Sequence, residues 1–283
     1  MISASVVLYK TPKSQIDSLF ASVLQSCVDK LFVIDNSPEN SDIDFESISQ
    51  KITYIKNDNI GYGGSHNIAL KRAVELGAKY HIVLNPDISF EPAVLKKLSS
   101  FMDENPEAVY VLPKVIYPNG ELQYLCKILP TPSDLIFRRF IPSVGFLKSW
   151  KDKKDARYCL KDSGYNKIMN PPSLSGCFMF LRVSAIKEHN LFFDDRFFMY
   201  FEDFDLIRRL HKVGKTLFYP EVTIVHDHAK ESYKNPKMLK EHVKSALKYF
   251  NKWGWIFDKE RKLWNKEIIM DITHKTIQIS RGG

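Results

Sequence analysis

The chain has no run of about 18 uncharged apolar residues, so no membrane-spanning helix is expected. Cysteine is scarce. Cys27, Cys126, Cys159 and Cys177 are scattered without paired spacing, which argues against a disulfide framework or a zinc site and fits a reducing cytosol. The apolar stretch Met1 to Tyr9 carries neither a basic leader nor a small-residue cleavage site, and reads as a first strand rather than a signal peptide. Both common nucleotide-binding glycine motifs, Gly-x-Gly-x-x-Gly and the P-loop, are missing. Internal repeats and low-complexity tracts are missing too.

What is present suits a large core. The 283 residues are 44% apolar and 13% aromatic, enough for one large α/β domain with elaborations or for two small domains. The net charge of +8 is uneven, because His226 to Gly283 holds 13 Lys and Arg against 7 Asp and Glu. The body is therefore nearly neutral. A nucleic-acid binder would more often spread its charge over the domain core, so no nucleic-acid partner is expected.

The first 115 residues alternate strand and helix patterns. Ser5–Tyr9, Leu31–Ile34, Ile52–Ile55, Tyr80–Leu84 and Val109–Leu112 read as buried strands. Between them, Ile16, Leu19, Phe20, Val23 and Leu24 mark one helix, Ile68, Ala69, Ala73, Val74 and Leu76 a second, and Leu95, Leu98 and Met102 a third. Continuous apolar strands separated by amphipathic helices predict a mostly parallel sheet covered on both faces. Residues 116–170 show no clean period and read as an irregular insertion. Regularity returns with a strand at Gly176–Leu181, a helix over Asp203–Lys212, and strands at Thr216–Tyr219 and Val222–Val225. In the tail, Asn235 and Pro236 open a helix. Lys237, Lys240, Lys244, Lys248 and Lys252 form one stripe on it, opposite Leu239, Val243, Ala246, Phe250 and Trp253. Either the apolar stripe simply packs on the core, or the lysines also face anionic headgroups.

Three places carry chemistry. Asn85-Pro86-Asp87 ends a strand, which puts two oxygen-bearing side chains at the sheet edge where open α/β folds bind ligands. A carboxylate there can hold a hard divalent cation, and the same tripeptide is also ordinary turn chemistry. Tyr9, Asp35 and Asn36 end two more strands. Asp35 is placed to accept hydrogen bonds from a base or ribose, or to form a turn before Asn-Ser-Pro. Gly61 to Gly64 allow close backbone approach before a helix N-terminus, with Asn67 on its first turn. The second place is Phe197–Leu206, where Glu202, Asp203 and Asp205 follow an aromatic run. Such carboxylates serve as a general base or as a capped helix start. The third is His226 with His228, on one face of an extended chain and suited to complete a metal site with Asp87 or to a structural role.

Taken in order, these segments resemble the inverting family 2 glycosyltransferases of GT-A fold, most closely the bacterial rhamnosyltransferases of O-antigen and capsule assembly. The resemblance runs through Val6–Tyr9, Val33–Ser37, Asn59–Asn67, Leu84–Asp87, Leu174–Met179, Phe198–Leu206 and His226. It implies a GT-A catalytic domain over 1–228, with a nucleotide-sugar half (1–115), the insertion (116–170) and an acceptor half (171–228). A basic helical extension over 229–283 would follow. It implies Asp87 as the last acid of an Asp-x-Asp motif binding Mg²⁺ or Mn²⁺, with Asn85 in place of the first Asp, and His226 as an accessory ligand. The donor would touch Tyr9, Asp35, Asn36, Gly61, Gly63, Asn67, Asn85 and Asp87. Asp203 would be the base, and Ser175, Gly176 and Glu202 would line the acceptor side. The implied donor is a nucleotide-diphosphate sugar, dTDP-L-rhamnose first and UDP-hexoses or UDP-galactofuranose as alternatives. The implied acceptor is a glycan or polyprenyl-diphosphate-linked glycan, and the implied place is the cytoplasm, peripheral to the inner membrane face. A nucleotidyltransferase would need a glycine-rich loop where Lys10-Thr11-Pro12-Lys13 stands. A carbohydrate-binding or scaffold protein on a degenerate GT-A fold is the non-catalytic alternative.

Overall fold

The computed structural model describes residues 1–39, 41–135, 145–227 and 236–281, with side chains described outside 145–147 and 274–281. Eight strands form one sheet in the order β3-β2-β1-β4-β7-β6-β8-β5. The parallel half is β1 (Ile2–Leu8), β2 (Lys30–Asp35), β3 (Ile52–Lys56) and β4 (Tyr80–Leu84). Every residue of β1 and of β4 is buried, as expected of strands covered on both faces. The helices α1 (Lys13–Leu24), α2 (Phe45–Ile48) and α3 (Tyr62–Glu75) connect these strands. Of the apolar positions read from sequence in α1, Ile16, Leu19, Phe20 and Val23 are buried and Leu24 is half-buried.

The other half is mixed. β5 (Ile88–Ser89), α4 (Ala93–Glu104) and β6 (Ala108–Ile116) follow β4. β7 (Phe178–Arg182) runs antiparallel to both β4 and β6, and a short helix α6 (Val183–His189) follows it. The helix α7 (Glu202–Val213) leads into β8 (Lys215–His226), which is parallel to β6 and antiparallel to β5. Two helices, α8 (Pro236–Trp253) and α9 (Lys259–Arg281), close the chain.

The structure departs from the sequence-based expectation in four places. Residues 116–170 are not irregular throughout, because Gly145–Tyr158 forms a helix, α5, and Lys161–Ser163 a 3₁₀ turn. The lysine-rich composition of α5 leaves it no apolar stripe to read. Gly63 and Gly64 lie inside the first turn of α3 and do not form a loop before it. The two strands expected between 216 and 225 are one strand. Its register against β6 shifts between Pro113 and Lys114, where the partner residue jumps from Tyr219 to Thr223. Pro220 falls in that jump, as a residue with no amide hydrogen must. The last departure is Asn67, which lies on the second turn of α3 and not on its first; α9, a second tail helix, falls within the helical extension expected over 229–283.

The topology positions the site. Successive strands step outward from β1 to β3 and then return to β4 on the other side of β1, so a switch point lies between β1 and β4. The register aligns Leu8 with Asp35 and Val6 with Leu84, which brings three carboxyl ends to one edge. Because β7 is antiparallel, its amino end meets that same edge: Leu84 pairs with Phe178, and Asn85 N–H donates to Cys177 O at 2.9 Å. β8 ends there as well, with His226 opposite Ile88 and Asp227 N–H donating to Asp87 O at 3.0 Å.

Candidate active site

At the centre of this edge is Tyr62, a residue the sequence reading did not select. Its hydroxyl lies 2.9 Å from Asn85 Oδ1 and 3.0 Å from Gly176 O. Gly176 N–H in turn donates to Asp203 Oδ2 at 3.1 Å. On the other side, Asn85 Nδ2 is 3.5 Å from His226 Nε2, which is 3.3 Å from Asp87 Oδ1. Residues separated by more than a hundred positions thus share one hydrogen-bonded cluster. Asp87 and Asp203 lie at its two ends.

The Asp87 end fits a hard divalent cation. Asp87 Oδ1 is buried and makes no well-formed hydrogen bond. His226 is oriented by Gln123: His226 Nδ1 is 3.0 Å from Gln123 Oε1, and Gln123 Nε2 donates to the His226 carbonyl at 2.7 Å. Gln123 accepts at Nδ1, which leaves Nε2 facing Asp87 in the arrangement that orients metal-ligating histidines. Burial alone would lower the His226 pKa, but Cys177 and the Asp87 carboxylate outweigh it and raise it to about 10. The pocket therefore favours a positive charge between the imidazole and the carboxylate, a place a cation and a proton would compete for. Among the described residues no third His, Cys, Asp or Glu joins the pair. The pair is short of a full ligand set, and the rest of a cation's shell would have to come from phosphate and water.

The Asp203 end carries two adjacent carboxyl groups in different surroundings. Glu202 is buried and its Oε2 has no hydrogen-bond partner among the described residues. Burial, and then the charge of Asp203, raise its pKa well above the usual carboxylate range. Asp203 is half-buried. Burial raises the Asp203 pKa as well, and Lys127 and the amides of Phe204 and Gly176 oppose that rise without cancelling it. Of the two, Asp203 is the more readily ionised and Glu202 the one that holds its proton more strongly. The residues before them are forced: Tyr200 and Phe201 both have φ of 65°, a conformation that costs a non-glycine residue about 1–3 kcal/mol. Packing of Phe197 and Phe201 against Tyr249 and Phe250 of α8 holds that turn, and Ser245 Oγ donates to Met199 O at 2.8 Å.

The remaining sequence-selected residues take several roles. Asp35 lines a cavity of about 480 Å³ with Leu8, Lys10, Thr11 and Ser37, at the ends of β1 and β2. Its carboxylate is already engaged by Ser37 N–H at 2.9 Å, Tyr54 OH at 2.8 Å and Lys56 Nζ at 3.5 Å. Burial would raise its pKa, and these partners lower it instead. Asn36 is buried and bonded to Ser65 and Asn57, so it ties β2 to α3. Tyr9 stands exposed at the same edge.

Three residues expected to touch the donor are instead spent on the protein itself. Asn67 clasps the backbone of Phe193, donating to its carbonyl and accepting from its amide, and also donates to Asp195. A Cβ on Gly61 would stand 2.1 Å from Phe198 O, and one on Gly63 would stand 2.8 Å from Phe193 Cβ. Those glycines admit the 193–198 segment. On the acceptor side, Gly176 is tight for the same reason, since its Cβ would meet Asp203 Cβ at 2.7 Å. Ser175 accepts from Tyr110 OH through its carbonyl, and Glu202 is turned inward. His228 lies outside the described residues, as does the Asn235 cap.

The lysine stripe of α8 is only partly presented to solvent. Lys252 pairs with Asp194 and Asp205, Lys248 donates to Arg196 O, and Lys244 pairs with Glu241. Lys237 and Lys240 are exposed. No helix among the described residues is long and apolar enough to cross a membrane. Tyr62, Gln123 and Lys127 were missed because nothing local marks them, although Tyr62 stood inside the Gly61–Gly64 motif.

Residues 3–190 match the model of the glycosyl transferase family 2. A curated relative, the N-acetylglucosaminyl-diphospho-decaprenol L-rhamnosyltransferase of Mycobacterium tuberculosis, is 25% identical over 202 residues. The alignment covers 66% of this chain and 62% of that protein, so less than two thirds of the relative is matched. Among solved structures, S. aureus TarS superimposes with a TM-score of 0.56 at 16% identity, over 88% of this chain and 40% of that one. TarS 1-349 in complex with UDP-GlcNAc gives 0.57 at 14% identity, over 95% and 71%. TarS 1-349 in complex with UDP gives 0.55 at 14%, over 95% and 70%. At such identities the likeness is one of fold, and the fold is the GT-A arrangement of a curled α/β sheet flanked by helices. The family match, by contrast, extends over more than half of the sequence, and on it the chain belongs to glycosyl transferase family 2.

Proposed function

We propose that this glycosyltransferase moves L-rhamnose from dTDP-L-rhamnose to a hydroxyl of a glycan carried on a polyprenyl diphosphate, with inversion at the anomeric carbon. The observation that carries the reading is the Tyr62-centred cluster, which joins the Asp87–His226 pair to Asp203. The named activity of the M. tuberculosis relative supports the sugar and the lipid-linked acceptor.

The geometry supports a role for each residue. Asp203, whose ionised form Lys127 favours, takes the proton from the acceptor hydroxyl as that oxygen attacks. Glu202, kept neutral by burial, avoids a second negative charge beside the attacking oxygen. Gly176 holds the Asp203 carboxylate in place through its amide. Asp87 and His226 would hold Mg²⁺ or Mn²⁺, which neutralises charge on a departing nucleoside diphosphate. One displacement needs one base and no covalent enzyme intermediate. A second reading keeps the mechanism and changes the donor to a UDP-linked hexose, because the TarS structures are described with UDP and UDP-GlcNAc.

The test is a panel of dTDP-L-rhamnose, UDP-GlcNAc, UDP-galactose and UDP-galactofuranose, scored by thermal shift with Mn²⁺ and by release of nucleoside diphosphate. A shift and turnover with the dTDP sugar alone support the first reading, and those with a UDP sugar alone the second. Asp203→Asn should keep the donor-induced shift and lose turnover by about 10³-fold. No release from any donor would leave a carbohydrate-binding or scaffold protein.

A further inference from the structure

The turn between α8 and α9 places its most apolar side chains outside the protein. Ile256 is 79% exposed and Phe257 93%, with Trp255 beside them at 42%. The turn is nevertheless firmly built. Arg261, itself buried, donates to the carbonyls of Gly254, Trp255 and Ile256, and to Pro130 of the body. Asp258, the next residue after Phe257, is locked to Arg208 of α7 by two hydrogen bonds of 2.7 and 2.6 Å. The Trp255 indole N–H is satisfied by Asn251 at 2.8 Å. Three consecutive backbone carbonyls are thus bonded from within while the side chains point out. That is what an apolar phase requires of any backbone entering it.

The adjoining face of α9 is basic. Lys259, Lys262, Leu263, Lys266 and Met270 are exposed and recur at spacings of three and four, so they share one face, with Glu267 at its edge. The opposite face docks on the body through Asn265, bonded to both backbone groups of Leu129, and through Ile268, Ile269 and Ile272. The nearby acids Asp258 and Glu260 are occupied by Arg208, Arg261 and Lys212. An apolar tip beside lysines that make no ion pair among the described residues complements an anionic lipid surface. A second copy of the chain is a poorer fit, because three side chains cover roughly 600 Å² at most. A stable dimer needs about 800 Å² per partner.

We propose that the turn Gly254–Phe257 and the lysine face of α9 dock this enzyme on an anionic phospholipid bilayer. Ile256 and Phe257 enter the acyl boundary, and Lys259, Lys262 and Lys266 meet the headgroup phosphates. The surface differs from the α8 lysine stripe. It draws its use from the lipid-linked acceptor proposed above, but its test needs neither donor nor acceptor.

Co-sedimentation of the full chain with vesicles of phosphatidylcholine and phosphatidylglycerol should show binding that phosphatidylcholine alone does not support. The double variant Ile256→Asp/Phe257→Asp should bind more than about tenfold more weakly, from two lost apolar anchors. It should keep the wild-type melting temperature and wild-type donor hydrolysis, because neither side chain packs on the body. Lys259→Glu/Lys262→Glu should weaken binding and flatten its salt dependence. Wild-type chain left in the supernatant, or tip variants that sediment like wild type, would overturn the proposal. So would sedimentation velocity without lipid showing a dimer that the tip variant dissolves. Vesicle binding by a chain that hydrolyses no donor would defeat the glycosyl-transfer reading and leave this one standing.

Discussion

The sheet edge at Asp35 and the helix that carries Asp203 are held in different ways. Asp35 is fixed by Ser37, Tyr54 and Lys56, all within 21 residues of it, at the ends of adjacent parallel strands. The helix α7 is fixed from the tail. Arg208 is bound by Asp258 and Glu260, while Asp205 holds Lys252 and Trp253 Nε1. Both Arg208 and Asp258 are almost fully buried. The first region is a property of strand pairing, and the second depends on a helical hairpin closing late in the chain. The tail is therefore a brace for the carboxylates at 202 and 203, whatever else it does.

That contrast can be broken from the tail side first. Arg208→Ala takes from buried Asp258 its two short hydrogen bonds, leaving it the Arg261 amide and a guanidinium 3.9 Å away, and should cost about 3–5 kcal/mol in a urea melt. A cost under about 1 kcal/mol, typical of surface pairs, would show that the tail is not a brace. Next in size is Gly176→Ala, whose added methyl collides with Asp203 Cβ. It should lower kcat by about 10²-fold while the donor-induced thermal shift stays, since a displacement near 1 Å is enough for that loss. On the donor side, Gln123→Ala removes the orienting partner of His226 and should lower Mn²⁺ affinity by about 10–100-fold, read by metal titration of the thermal shift. The smallest effect sharpens the acid–base assignment. Glu202 has a raised pKa in the folded chain, so its contribution to stability is present below the ordinary carboxylate range and is lost as pH rises through the folded value. Glu202→Gln stays neutral throughout and should gain stability relative to wild type as pH is raised from 5 to 8 in a series of melts. A constant difference across that range would mean Glu202 does not titrate there.

Legibility in the sequence followed the same division. The strand ends Asp35, Asn85 and Asp87 were readable because a buried parallel strand must be apolar and its first polar residues mark the edge. Asp203 and His226 were readable as carboxylate and imidazole beside apolar runs. Asn67, Gly61 and Gly63 were read as donor contacts because a glycine-rich helix start is a common anion site, yet here the protein's own 193–198 segment occupies that space. Gln123 and Lys127 carry no local signal. Each acts only through a partner about 76 to 103 positions away, on a strand or helix the sequence places without distance.

The order of apolar runs, helices and polar strand ends by itself determined an α/β sheet with acids at its carboxyl edge, since periodicity and burial follow from side-chain chemistry one residue at a time. Only the tertiary structure decided which acid ionises more readily, which histidine nitrogen faces Asp87 and which apolar residues stay outside. Charge state, tautomer and exposure are set by neighbours brought from elsewhere in the chain, and desolvation and hydrogen bonding act only when those neighbours arrive.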